Sequence, residues 1–105
     1  MPANENGAVL RALGLCRKAG KIIIGTEAVC KALREPKKPF AVFAANDNSE
    51  NTEKRLRNQC GSHGVPLYRV PASGAELARA LGKSAHTAAA AVTDENLCQL
   101  AVGKL

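Results

Sequence analysis

The side chains of this chain that could do chemistry are few and scattered. Four cysteines (Cys16, Cys30, Cys60 and Cys98) and two histidines (His63 and His86) are spread over the whole length. No two cysteines stand at the short separation of a zinc-ligand pair, and neither histidine completes such a set. Nucleophilic catalysis needs a nucleophile, a base and a group that orients the base. No such trio assembles here. His63 lies in the turn "GSHG", His86 lies in the polar loop "GKSAHT", and Glu27, Asp47 and Glu50 stand where helices are expected to begin. There is no Gly-x-Gly-x-x-Gly run and no P-loop, so a nucleotide cofactor has no cradle. The sequence predicts no catalytic residue, no metal site and no cofactor.

Two junctions are of another kind. In "KIIIGTEAV" an apolar run stops at Gly25-Thr26-Glu27, and in "FAVFAANDNSENT" a second run stops at Asn46-Asp47-Asn48-Ser49. Each junction feeds a helix start. A helix start carries unpaired backbone N–H groups and partial positive charge, which suits an anion such as phosphate. Gly25 has no Cβ to keep a ligand's backbone away. Thr26 is the expected cap, Glu27 is expected to point outward, and Lys31 follows one turn on. A plain strand-to-helix turn with a good cap would produce the same letters, so these junctions name a place before they name a ligand.

The elements that must position these junctions alternate. A helix is predicted over residues 7–20, a strand at 22–24, a helix at 27–34 and a strand at 40–45. A helix over 50–60, a strand at 67–70, a short helix in "AELARALG", a strand at 88–92 and a last helix from Asp94, capped by Thr93, complete the series. This alternation argues an α/β domain with helices on both faces of a four-stranded sheet. Ligands of open α/β sheets gather beyond the carboxyl ends of the strands. The loop 82–87 enters the last strand, and joins that end if the strand runs antiparallel to its neighbours.

The length of 105 residues is that of one domain, expected over 7–105 behind a flexible tail at 1–6. Hydrophobic residues make up 46% but aromatics only 3%, so the core must be aliphatic and base stacking on a sheet has little to work with. The cysteines read as small buried thiols of a reducing compartment; Cys60, just before "GSHG", is the one whose exposure needs checking. Lys and Arg number 15 against 9 Asp and Glu, a net charge of +6, which favours a polyanion or an acidic surface as partner. No apolar run approaches the roughly 20 residues of a membrane helix, and the first residues lack the pattern of a signal peptide, so a cytoplasmic protein is expected.

Taken in order, "LRALGLCRKAGKIIIGTEAVCKAL", "FAVFAANDNSENTEKRLRNQC", "GVPLYRV" and "AELARALGK…AAAAVTD" resemble the kink-turn RNA-binding ribosomal protein superfamily, in particular its bacterial YlxQ-like branch. The resemblance runs from about Ala8 to Leu100. It implies a three-layer α-β-α sandwich, with a four-stranded mixed sheet, that binds structured RNA with the loops at one end. The helix after the first strand would enter the widened groove of a kink-turn, which places Gly25, Thr26, Glu27 and Lys31 at the sheared G·A pairs. Asn46 and Asp47 would add contacts, and the loop Lys83, Ser84, Ala85, His86 and Thr87 would pack on a flipped-out nucleotide. Best-known members read Gly-Thr-Asn-Glu at the first site; here Glu27 replaces the Asn and Ala28 the Glu.

Kinked RNA crowds its phosphates, and Lys18, Lys21, Lys31, Arg34 and Lys83, with Lys54 or Arg55, are the basic residues expected to offset that crowding. Lys37 and Lys38 are expected to be solvated surface charge. The sequence therefore predicts a monomeric, non-catalytic RNA-binding protein associated with ribosomes or translation, with ribosomal proteins as further partners. A protein-interaction module on the same fold, and a phosphate-dependent activity at the same loops, are the rival readings.

Overall fold

A computed structural model describes residues 2–105, with side chains from Gly7 onward. Five helices and four strands alternate: α1 (Pro2–Lys18), β1 (Ile22–Ile24), α2 (Thr26–Leu33), β2 (Ala41–Ala44), α3 (Glu50–His63), β3 (Leu67–Arg69), α4 (Gly74–Ala80), β4 (Ala89–Val92) and α5 (Glu95–Val102). The strands form one sheet in the order β1-β4-β2-β3. β2 and β3 are parallel, whereas β4 is antiparallel to both β1 and β2. The expected mixed four-stranded sheet is therefore present.

The sequence of the two central strands explains why they are central. All four residues of β2 and all four of β4 are buried. Successive side chains of a strand point to opposite faces, and the two cores divide accordingly. Ala41 and Phe43 of β2 and Ala90 and Val92 of β4 join Leu13, Leu77 and Ala101 on the α1–α4–α5 side. Val42, Ala44, Ala89 and Ala91 join Val29, Leu33 and Leu56 on the α2–α3 side. Three layers result, as the resemblance implied. The core is aliphatic but for Phe43, whose ring stacks on half-buried Tyr68 with centroids 5.6 Å apart.

Several local expectations are corrected. The first helix opens at Pro2, ahead of residue 7; proline suits a first helical position, where no N–H bond is lost. The side chains of residues 1–6 lie outside the described residues. β2 begins at Ala41, because Phe40 is 44% exposed and does not join the buried run. α3 extends to His63 before Gly64, in the left-handed region at φ 67°, closes it. Asp94, not Thr93, caps α5 by accepting from the Leu97 N–H at 2.9 Å. Lys38 is half-buried rather than a solvated charge, and its Nζ donates to the carbonyls of Leu33 and Glu35 at the end of α2. A cation there satisfies carbonyls that the helix leaves free.

Candidate nucleic-acid interface

Because β1, β2 and β3 run one way and β4 the other, the last residues of the first three and the first residue of β4 share one end of the sheet. Ile24 pairs with Ala90, Ala44 with Ala89, and Ala44 with Arg69. Gly25, Asn46, Asp47, His86 and Thr87 thus meet at that end, as the sequence required if β4 were antiparallel.

Gly25 makes the turn from β1 into α2 at φ 103° and ψ 146°, a region that side chains with a Cβ rarely adopt. A Cβ at this position would meet nothing within 4 Å, so conformation and not crowding demands glycine. Its N–H donates to the Ala89 carbonyl at 2.9 Å, which fixes the turn to β4. The sequence reading made Thr26 the cap of α2. Instead Thr26 is the first helical residue, Gly25 is the N-cap, and no side chain caps this helix. The other helix starts of this kind are filled: Ser49 accepts from Thr52, Ser73 and Glu76 form a capping box, and Asp94 accepts from Leu97. The first amides of α2 remain open donors beside exposed Glu27.

Glu27 does point outward, its side chain 84% exposed. Both of its oxygens accept from Arg55 of α3, a two-pronged pair whose second hydrogen bond is 3.0 Å long. The hydrogen bond and charge of Arg55 hold the Glu27 carboxyl below its ordinary range, with a smaller contribution from Arg34. The same hydrogen bond pushes the Arg55 guanidinium further up. A two-pronged guanidinium–carboxylate pair is directional, so it orients the Glu27 carboxylate toward α3.

Asp47 turns the other way. Its Oδ1 accepts from the Gly74 N–H at 2.8 Å and lies 3.5 Å from His86 Nε2. The Gly74 N–H is the main cause of its lowered pKa, with His86 adding to it. The imidazole lies flat against Gly74, where a Cβ would come within 2.0 Å of Nε2. The Thr87 N–H donates to the Gly74 carbonyl and the Asn46 N–H to the Ala72 carbonyl, while Asn48 Nδ2 donates to Ala88. Three segments, 46–49, 72–74 and 86–88, are thereby pinned together. Lys83, Ser84, Ala85 and His86 are exposed, but Thr87 is only 4% exposed and offers little side chain to a ligand.

The basic residues divide. Lys31 and Arg34 lie exposed along α2 below Glu27, within about 12 Å of its start at 1.5 Å per residue. Lys83, whose N–H donates to Ala78, stays by the end of α4. Lys21 precedes β1 and accepts from the Thr93 N–H past the end of β4, so it lies about 13 Å from Gly25 along the strand. Lys18, at the end of α1, is on that far side too. The structure does not bring Lys18 and Lys21 to the loop end. It does bring Arg55 and Arg69, whose guanidinium donates to the Asn46 carbonyl at 2.9 Å. Arg69 had a usable sign in the sequence, being a basic residue near the end of a predicted strand; its direction toward this end did not. The four cysteines are free and buried, Cys60 included, and burial pushes its thiol up to about 11.

Comparison with known proteins bears on the family and the fold. The family model of the ribosomal protein L7Ae/L30e/S12e/Gadd45 family matches residues 7–102. The chain belongs to that family. It is 33% identical over 93 residues to the RNA-binding protein YlxQ of Bacillus subtilis (strain 168), covering 89% of this chain and 90% of the relative. It is 38% identical over 71 residues to the RNA-binding protein YlxQ of Enterococcus faecium, covering 68% and 67%. A solved Bacillus halodurans protein of unknown function superposes with a TM-score of 0.81 at 28% identity, over 91% of this chain and 94% of that one. The Giardia lamblia 15.5kD RNA binding protein superposes with a TM-score of 0.75 at 21% identity, over 96% and 84%, which supports the fold alone. The resemblance read from the sequence, fold and YlxQ-like branch together, is borne out. Among the described residues no helix is long and apolar enough to cross a membrane.

Proposed function

We propose that this family member is a non-catalytic protein that binds kinked, kink-turn-like RNA with the end of the sheet where α2 opens, as a cytoplasmic monomer associated with ribosomes or translation. The carrying observation is the uncapped start of α2, fixed to β4 through Gly25 and flanked by the exposed loop at 83–86. A kink brings phosphates together, and open amides with Lys31, Arg55 and Arg69 nearby, and Arg34 at the far end of α2, oppose that repulsion. Glu27 accepts from the N1–H and N2–H of a guanine edge. Arg55 uses one acceptor position on each oxygen and leaves others free, while holding the carboxylate in a reading position. The two YlxQ relatives, both named as RNA-binding proteins, support RNA as the partner. No bond in the RNA needs to break for this role.

Calorimetry with a short kink-turn RNA, beside the same RNA with its sheared G·A pairs replaced, tests this reading. We expect tight, salt-sensitive binding to the intact motif and much weaker binding to the altered one. Equal binding to both would reduce the protein to a general phosphate binder. Binding to neither would favour a protein-interaction module on the same fold.

A further inference from the structure

The outer face of α1 carries a feature that the RNA reading does not use. A groove of about 710 Å³ runs between α1, the end of α4 and α5. None of Gly25–Glu27, Asn46–Ser49 or Lys83–Thr87 lines it. Small residues make its depth: Gly14 lets α1 lie against the end of α4, where a Cβ would come within 3.3 Å of the Ala80 carbonyl. Its apolar walls include Leu15 and Leu100, which are 49% and 39% exposed, in a chain whose other leucines are mostly buried. Arg11, Lys18 and Lys104 line it as well, and no acidic side chain does among the described residues.

We propose that this groove is a docking site for an acidic amphipathic helix of a partner protein. The apolar walls call for apolar side chains at helical spacing, and the three cations call for carboxylates beside them. The α1 stripe from Gly7 to Lys18 is about 16 Å long, room for about three turns of helix laid alongside. A second copy of this chain is a poor occupant, because a two-fold pairing would set Arg11, Lys18 and Lys104 against themselves. RNA is a poor occupant too, because its phosphates would leave Leu15 and Leu100 uncovered and no aromatic ring lines the groove for stacking.

The test is selection from a displayed library of short segments tiling the proteins of the source cell, with the whole chain as bait. Enriched segments are then synthesised and titrated against wild type, Leu15→Glu and the double variant Arg11→Glu/Lys104→Glu. Both altered proteins should fold, since these side chains are exposed, and circular dichroism checks it. We expect enriched segments with apolar residues at helical spacing and flanking Asp or Glu, and binding at least about tenfold weaker to each variant. Kink-turn RNA affinity of Leu15→Glu should stay at the wild-type value, which separates this site from the RNA reading. The proposal is overturned if no segment is enriched over the Leu15→Glu bait, or if enriched segments bind the variants as well as wild type. It is equally overturned if wild type self-associates through this face, or if bound RNA protects α1 and α5 from hydrogen exchange.

Discussion

The helix starts of α2 and α4 lie at the same end of one sheet and are finished in opposite ways. α4 is closed: Ser73 and Glu76 form a capping box, and Asp47 reaches across 27 residues of sequence to take the Gly74 N–H. α2 is open: its N-cap is a glycine, and no side chain accepts from its first amides. Closing a start stabilises the fold, since an unpaired donor is satisfied. Leaving one open forgoes that stabilisation and keeps the donors for something else. Around the open start the neighbours are bonded elsewhere instead of capping: the Gly25 N–H donates to Ala89, and Glu27 pairs with Arg55. The difference teaches that one end of a small sheet can hold a capped helix start and an uncapped one side by side, separated by the choice of one side chain at each cap.

Substitutions that close the open start should have the largest effect. Gly25→Asp offers α2 a carboxylate cap and forces a side chain into a backbone region suited to glycine, at a cost of about 1–3 kcal/mol. We expect kink-turn RNA binding to fall about a hundredfold or more, as 2.7 kcal/mol of lost affinity would give, read by calorimetry. Lys31→Glu leaves the start open but reverses a charge below it. We expect about a tenfold loss and a salt dependence shallower by about one phosphate contact. Arg55→Ala frees Glu27 without touching the amides; affinity should fall less, and discrimination against altered G·A pairs should weaken more than affinity does.

Damage to the closed start should show in stability first. Asp47→Ala removes the acceptor of the Gly74 N–H, so the melting temperature at neutral pH should drop while RNA affinity changes little. The sign of the pH dependence follows from the lowered pKa. Asp47 binds its proton less readily folded than unfolded, so its contribution is full above the ordinary value of 3.8 and is lost as pH falls through the folded value. Thermal melts in acid should therefore converge for wild type and Asp47→Ala. The smallest effect belongs to Gly74→Ala. The new Cβ collides with the His86 ring, but that ring is an exposed side chain that can swing away, so stability should barely change. The amide signals of Ser84–Thr87 should shift, which NMR reads directly.

The fold was legible because its signals are local. Unbroken apolar runs marked β2 and β4, and the alternation of elements gave the layers. The direction of β4 was not legible, since an all-buried strand reads alike both ways. At the site, Gly25 and the exposure of Glu27 were legible from residue type. The pairings were not: Arg55 meets Glu27 across 28 residues and Asp47 meets Gly74 across 27, and neither spacing leaves a periodic trace. Thr26 was misread because a threonine at a helix start looks the same at N-cap and at the next position. The separation of Lys18 and Lys21 from the loop end likewise depends on which way β1 runs beneath them.

The decisive measurement is an NMR titration of the labelled protein with kink-turn RNA, following the amides of Thr26, Glu27 and Ala28 at the open start beside Gly74, Ala75 and Glu76 at the closed one. We expect the first three to shift strongly and saturate with the calorimetric affinity, while the second three stay near their free positions. Large shifts at Gly74–Glu76 with Thr26–Ala28 unmoved would contradict the assignment of the open start as the seat of the RNA.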